Sequence, residues 1–522
     1  MKAFQPMPLL TASQMRACDA AAIKGGEPSQ TLMERAARGA LQILCDAPEI
    51  SLHRRHRLVV LCGGGNNGGD GFAMARFAKE TGYEVVACYA GENSVPDLSK
   101  SMQPECARQY SLWTEAGGET LTALPIIDHT RDILIDALLG IGLKSAPRPE
   151  MAEWIRAANG SGARILSVDL PSGVNADTGD VPGETIHATL TVTIAYPKIG
   201  LLLYPAAAHV GRLAVCPIGV TTKALETESA PRAFYLRPED LGVLYPRPAY
   251  ANKGTFGRVL VIGGASGMCG AAYFAAKSAY RAGAGLVEIL TCPDNRIPLQ
   301  TLLPEAVLTL PPEGQDNALL TAALERADAV VLGCGLGQSD TAAALVSAVL
   351  GQCHKPLVLD ADALNLLAAS ASLRDELLRN RTAPLVLTPH LGEASRLSGL
   401  PITSLTADLP QSARLLAQKY HAVCVLKDAR TVVADEERFY IQNRGNSGMA
   451  TGGSGDCLAG IVASLLAQYR AQTDLNPTSL AALATLLHAM AGDDASERLG
   501  APAVMASDIA DSIGAVIRAL TH

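Results

Sequence analysis

What this chain has little of narrows its class before any motif is read. Charged residues make up 18% and hydrophobic residues 48%, so it is neither a disordered polyelectrolyte nor a fibre. Basic excess is missing: the formal charge of -8 leaves no electrostatic footprint for nucleic acid, which is excluded as a partner. None of the 12 cysteines forms a Cys-x-x-Cys pair, so reduced thiols are expected rather than a disulfide framework or a zinc site. No uninterrupted apolar run is long enough to cross a bilayer. Met1–Leu10 lacks the charged start and apolar core of a signal peptide. A soluble, cytoplasmic protein without a membrane partner is expected, acting on small molecules as a homo-oligomer.

What is present is glycine, with 48 residues, and a repeated alternation of short apolar runs with alanine-rich stretches. The runs Arg57–Cys62, Glu84–Ala90, Asp132–Leu139, Arg164–Leu170 and Thr189–Ala195 are rich in Val, Ile and Leu, as strands covered on both faces must be. Strands alternating with helices predict right-handed crossovers and a mainly parallel sheet. The pattern breaks around Thr221–Pro248, where prolines and polar residues gather. A second series starts at Arg258–Gly264 and runs through Gly285–Thr291, Asp328–Gly333, Pro356–Asp360, Leu385–Thr388 and Ala422–Leu426. An alanine-rich helical region follows from Gly455. With 522 residues exceeding a single core, two α/β domains are expected over 1–222 and 237–522, joined by a linker at 223–236.

In the first series, the strand ending at Cys62 leads into Gly63-Gly64-Gly65-Asn66-Asn67-Gly68-Gly69-Asp70-Gly71, with a helix predicted from Phe72 to Glu80. Six glycines there allow positive φ and close backbone approach, and the helix N-terminus favours an anion. The turn is neither a Gly-x-Gly-x-x-Gly dinucleotide fingerprint nor a Walker A loop. Asp136 precedes Gly140-Ile141-Gly142, and Asp169 precedes Pro171-Ser172-Gly173. Carboxyl ends of neighbouring parallel strands line one crevice, so Asn67, Asp136 and Ser172 are candidates to converge there. Oxygen donors with one carboxylate suit an alkali ion better than zinc. Asp136 alone would serve equally as a turn or helix cap.

Asn66–Gly71, Asp136–Gly142, Asp169–Gly173 and Tyr196-Pro197-Lys198-Ile199-Gly200-Leu201 together resemble the NAD(P)H-hydrate epimerase family, over roughly Leu9 to Val220. The resemblance implies a Rossmann-like three-layer αβα domain. It also implies that Asn66, Asn67, Gly68, Gly69, Asp70, Gly140, Ile141, Gly142 and Asp169 contact the hydrate. Potassium would be held by Asn67, Asp136 and Ser172, with Asp169 and Lys198 as the acid–base pair.

The second series carries Lys253-Gly254, Gly333-Cys334-Gly335-Leu336-Gly337, Asp360–Asn365, Thr388–Glu393, Lys427 and finally Thr451-Gly452-Gly453-Ser454-Gly455-Asp456 opening a helix. A glycine-rich turn at a helix N-terminus forms an anion hole. An aspartate beside it has a reason to be there if it takes the proton of a hydroxyl attacking a bound phosphate. Asp360 and Asp362 read equally as caps of a helix starting near Ala363, and His390 as either a structural histidine or a substrate contact.

The Gly-Ser-Gly-Asp turn resembles the ribokinase-like superfamily, and the full set from about Arg237 onward resembles ADP-dependent NAD(P)H-hydrate dehydratase. That resemblance implies a second three-layer αβα domain and hydrate contacts from Ala272, Gly337, His390 and Asp456. The adenine nucleotide would be met by Lys427, Asp428, Ala429, Arg430, Thr431 and Gly455. ADP would be the co-substrate, magnesium is expected with it, and Asp456 would be catalytic. Asp428 departs from the family's usual glycine: its carboxylate would either repel nucleotide phosphates or point to solvent. The implied function is repair of hydrated NADH and NADPH, with one half interconverting R and S forms and the other dehydrating S. Two rivals are a vitamin or sugar kinase, whose anion hole would look alike, and a binding module in the first half.

Overall fold

The computed structural model describes residues 4–91, 97–225, 230–244, 247–311, 317–379, 381–472 and 474–521. It forms two compact units, Pro8–Ala233 and Phe234–His522, the latter joined by the opening residues up to Met7. Part of the expected linker (226–229) lies outside the described residues. The division between the units falls inside that expected linker, where Ala233–Tyr235 forms a strand and Ala233 and Leu236 are buried. The polar, proline-rich surroundings hid a segment whose three apolar residues were enough for a short strand between Met7–Leu9 and Phe439–Ile441.

In chain order the first strands are β1 (Met7–Leu9), β2 (Arg57–Cys62), β3 (Glu84–Tyr89), β4 (Thr120–Leu121), β5 (Asp132–Ala137), β6 (Arg164–Val168), β7 (Leu190–Ile194) and β8 (Arg212–Cys216). Seven form the first unit's sheet in the order β4-β3-β2-β5-β6-β7-β8, and every pairing is parallel. Alternate residues of β2 belong to different cores. Leu58, Val60 and Cys62 pack with the helices Ser29–Asp46 and Asn66–Glu80, while Val59 and Leu61 pack with Ile155 and Ala158 of the helix Pro149–Gly160. Helices therefore cover both faces, which is why the strand reads as a continuous apolar run.

The second unit carries β9 (Ala233–Tyr235), β10 (Arg258–Ile262), β11 (Leu286–Leu290), β12 (Val307–Thr309), β13 (Ala329–Leu332), β14 (Leu357–Leu359), β15 (Leu385–Leu387), β16 (Val423–Leu426), β17 (Val432–Ala434) and β18 (Phe439–Ile441). Its 11-stranded order is β1-β9-β18-β17-β16-β15-β14-β13-β10-β11-β12. The pairings from β12 to β16 are parallel, and β16-β17-β18 turn antiparallel. Both units are thus α/β layers around a sheet whose parallel strands end on one edge. Among the described residues no helix is long and apolar enough to cross a membrane.

Candidate active sites

In the first unit, the carboxyl ends of β2, β5 and β6 and the segment after β7 open on a cavity of about 1640 Å³. Lys198 lies at its floor, 1% exposed. Its ammonium donates to Asp169 Oδ1, to the Ile194 carbonyl at 3.0 Å and to Thr193 Oγ1 at 3.3 Å. The three donors of a lysine are then all used. Asp169 Oδ1 also accepts from the Ile194 N–H at 3.0 Å, while Oδ2 takes no hydrogen bond among the described residues. Asp169 stands at φ 71°, a left-handed conformation costing a non-glycine residue about 1–3 kcal/mol. The strain turns the side chain off the end of β6 into the cavity. Lys198 therefore fixes Asp169 through Oδ1, and Asp169 Oδ2 is left facing the cavity.

The asparagine–glycine stretch differs from the expectation. The helix begins at Asn66, not Phe72, with Gly65 as its N-cap, so the stretch supplies the first turn itself. None of Gly63, Gly64, Gly65, Gly68, Gly69 and Gly71 has positive φ. Close approach is the reason instead. A Cβ on Gly68 would sit 1.8 Å from the Gly63 carbonyl oxygen, and one on Gly63 would sit 2.0 Å from that of Leu138. The expected hydrate contacts Gly68 and Gly69 are buried and absent from the cavity wall, and the Gly69 N–H is spent on Gly65. Gly68 lets the helix close against the Gly63 turn, and Gly69 lets it pack against Met33 and Cys106 of the neighbouring helices. Asn66, Asn67, Asp70, Gly140, Ile141, Gly142 and Asp169 do line the cavity. The unused N–H groups of a first helical turn give it an anion-binding end.

Beneath that floor, Asp136 is fully buried. Oδ1 accepts from Ser172 Oγ at 2.5 Å, and Oδ2 from Ser167 Oγ at 2.7 Å and the Ser172 N–H at 2.9 Å. Burial pushes its carboxyl above the ordinary range, against these bonds. Asn67 donates Nδ2 to the Leu139 carbonyl at 2.9 Å, and its Oδ1 is buried with no partner. An orphaned amide oxygen among hydroxyl, carbonyl and carboxylate oxygens fits an alkali cation.

In the second unit, the ends of adjacent strands assemble the polar centre. Asp360 follows β14, is 1% exposed, and accepts from Lys427 Nζ at 2.8 Å after β16 and from Thr388 Oγ1 at 2.7 Å after β15. Of the two cap candidates, Asp360 holds the N-cap position, though not with its side chain. The helix starts at Ala361 and Asp360 makes no cap bond, while Asp362 accepts from the Gly337 N–H at 2.8 Å. Burial opposes charge on Lys427, yet Asp360 and Glu393 raise its ammonium on balance. Asp456 sits in the first turn of the helix Ser454–Gln468, behind the left-handed Gly453. Burial, with Asp360 nearby, pushes its carboxyl up to about 6. Ligand atoms of Cys334, Asp360 and Asp456 lie within 4.8 Å of one another. Burial, then Asp456 and Asp360, keep the Cys334 thiol well above its usual range. With Asp360 already held by Lys427, this trio fits a resident divalent ion poorly.

Other expected contacts fall out differently. Ala272 is 0% exposed inside the helix Cys269–Arg281, packed under the Gly264 turn, and has no surface to offer a hydrate. His390 is the N-cap of the helix Leu391–Ser398, where Nδ1 accepts from the Gly392 N–H at 2.9 Å and Nε2 lies 3.4 Å from Glu393 Oε1, so both ring nitrogens face the helix's own first turn. Asp428 and Ala429 are exposed, so the Asp428 carboxylate points to solvent. Arg430 donates to the Asn443 carbonyl, Thr431 to that of Asp428, and Gly455 lies beside Lys427. Sequence reasoning missed Arg16 and Asp19, which line the first cavity from the helix Ala12–Lys24. The available signal was an acid, Asp19, on the same helical stripe as the buried Met15 and Cys18.

Two family models match the chain: a YjeF-related protein N-terminus over residues 29–200 and NAD(P)H-hydrate dehydratase over 259–514. The bifunctional NAD(P)H-hydrate repair enzyme Nnr of Escherichia coli (strain K12) is 38% identical over 491 residues, covering 93% of this chain and 89% of that one. A ribokinase-like superfamily protein from Enterococcus faecalis V583 is 32% identical, with TM-score 0.48, covering 55% of this chain and 96% of its own. An ADP/ATP-dependent NAD(P)H-hydrate dehydratase from Bacillus subtilis, co-crystallised with ATP and Mg2+, is 27% identical with TM-score 0.47, covering 55% and 98%.

Proposed function

This chain belongs to the family of bifunctional NAD(P)H-hydrate repair enzymes, and from that premise we propose how its two sites divide the work. It joins an epimerase and a dehydratase for hydrated nicotinamide cofactors in one polypeptide. The observation that carries the assignment of roles is the pair of carboxylates at strand-end anion sites, Asp169 in one unit and Asp456 in the other.

Hydration leaves a hydroxyl on C6 of the nicotinamide ring, next to the ring nitrogen. The nitrogen lone pair expels that hydroxyl, and re-addition of water from the other face inverts the centre. In the first cavity, Asp169 Oδ2 exchanges the proton, Lys198 holds Oδ1, and the first turn at Asn66 takes the substrate phosphates. Asn67, Asp136 and Ser172 would hold potassium, which supplies a fixed positive charge near those phosphates. Support for that set is the orphaned Asn67 Oδ1.

Dehydration needs a better leaving group than hydroxide. In the second unit, Asp456 takes the hydroxyl proton as that oxygen attacks the terminal phosphoryl group of ADP. AMP leaves, and loss of phosphate from C6 with the C5 proton restores the double bond. The N–H groups opening the helix at Ser454 face the transferred phosphoryl, and Lys427 adds positive charge beside Gly455. Magnesium would arrive with the nucleotide. General-base help of this kind is typically worth about 10²–10⁴ in rate. A kinase reading is less supported, since the N-terminal family match leaves it no reason for the first site.

The test mixes separated S and R hydrates of NADH with ADP and the full chain, following recovery of dihydronicotinamide absorbance. Asp169→Asn should block recovery from R while sparing S, and Asp456→Asn should block both. Unchanged recovery from S in Asp456→Asn, or phosphorylation of hydroxymethylpyrimidine by the intact chain, overturns the assignment.

A further inference from the structure

Inversion at C6 sets a geometric demand that Asp169 alone does not meet. Hydroxide leaves one face of a ring that becomes planar, and water enters by the other. Asp169 is pinned through Oδ1 by Lys198 and the Ile194 N–H, so its free oxygen addresses one face only. A second proton-transfer group has to reach the cavity from a different element.

The helix Ala12–Lys24 provides one. Its N-terminus is fixed by a Thr11–Gln14 capping box and by Asp177, which accepts from the Ala12 N–H at 2.6 Å. Just before it, Leu10 pairs with the Lys198 segment: the Leu10 N–H donates to Pro197 O at 3.0 Å, and the Ile199 N–H to Leu10 O at 3.2 Å. The helix is thereby registered against the residue that holds Asp169. From it Asp19 lines the cavity, and among the described residues its carboxyl takes no hydrogen bond or ion pair. One turn earlier, Arg16 reaches the Ile141 carbonyl at 3.3 Å, closing the same wall.

We propose that Asp19 is the second proton-transfer residue of the epimerase, acting on the face of the ring opposite Asp169. The step rests on reading this cavity as the epimerase site. Asp19, protonated, gives its proton to the C6 hydroxyl as the C6–O bond breaks and the ring nitrogen supplies the electron pair. Water forms the new C6–O bond from the other face and loses its proton to Asp169. Cavity water then returns one proton to Asp19 and takes one from Asp169; no oxidant or reductant enters. Burial pushes the Asp19 carboxyl up to about 6, Lys198 lowers it, and Asp169 raises it. Asp70, Asp169, Lys198, Arg16 and Cys18 are the charged or titratable groups around it. Asp70, Glu105, Glu150 and Glu153 line the same cavity, but burial holds Asp70 well above the carboxylate range on the anion-binding helix, and the three glutamates come from the helices Pro104–Glu115 and Pro149–Gly160, not the one registered against Lys198.

The experiment measures R-to-S conversion by the full chain against pH, with dehydration of the S hydrate as a folding control. Asp19→Asn should lower epimerase kcat by about 10²–10⁴-fold with little change in KM, and abolish the pH-profile limb near 6. Asp19→Glu should restore part of kcat and keep a limb. Dehydratase rates should be unchanged in both. Asp19→Asn retaining kcat within a few-fold, or losing it with that limb intact, overturns the proposal. Asp169→Asn separates the two readings. If it is inactive while Asp19→Asn is active, only Asp19's role falls; if both are active, the site reading falls with it.

Discussion

Adding one methyl group to Gly68 tests why the glycines before the first helix are there. A Cβ at that position would lie 1.8 Å from the Gly63 carbonyl oxygen and 2.7 Å from its carbon. Real Cβ contacts stay beyond about 3 Å, so the helix Asn66–Glu80 must lift by roughly 1 Å from the end of β2. Overpacking of this kind costs about 1–3 kcal/mol. Lifting also draws Asn67 from the Leu139 carbonyl, a further loss of about 1 kcal/mol for that bond. The sum is about 2–4 kcal/mol. For a unit of this size each kcal/mol moves the melting temperature by about 2–4 °C, so roughly 4–16 °C is expected for the first unit's transition. Gly65→Ala is the control, because a Cβ there meets nothing within 4 Å. It should shift the transition by less than about 1 kcal/mol, as exposed sites usually do. Calorimetry on the full chain, with epimerase and dehydratase rates taken in parallel, reads all three quantities. Gly68→Ala should lose epimerase and keep dehydratase. Equal melting of the two variants would refute the close-approach reasoning and return these glycines to a role in turn flexibility.

The remaining predictions follow from the two polar centres. The Asp456 carboxyl sits at about 6, and a general base works deprotonated, so dehydratase kcat should fall about tenfold per pH unit below that value and level off above it. Asp456→Asn should flatten this limb. Lys427→Met leaves Asp360, 1% exposed, as an unpaired buried charge, and should destabilise the second unit by about 3–5 kcal/mol in denaturant titration. Lys198→Met should cost the first unit toward the lower end of about 3–5 kcal/mol, because the Asp169 side chain keeps 13% exposure to the cavity. Epimerase should be lost while dehydratase is spared. Asn67→Leu removes the orphaned oxygen, and should abolish any stimulation of epimerase by potassium over sodium in a salt series without unfolding the unit.

The strand series, the parallel sheets and the two families were legible in the chain, because apolar runs covered on both faces and strand-end motifs are local patterns. Arg57–Cys62 was bounded to the residue for this reason. Less legible was anything decided by what lies across a gap. The helix start at Asn66 was hidden by glycines that look like a turn, and Ala233–Tyr235 by the polar stretch around it. Ala272 was expected at the hydrate, but whether a helical alanine faces a ligand or a neighbouring turn depends on packing, and it is enclosed.

Asp169 was singled out in the sequence by the proline and glycine that follow it at a strand end, and Asp456 because a carboxylate beside an anion-binding turn is costly unless it has chemistry to do. What only the tertiary structure decided is how each acid is equipped. Lys198, 29 positions from Asp169, turns out to be a clamp with no donor to spare, and Lys427 pairs with Asp360 across 67 positions. Asp19, on a helix far earlier in the chain, enters the same cavity as Asp169. Charges meet through space, and a sequence records only their order along the backbone.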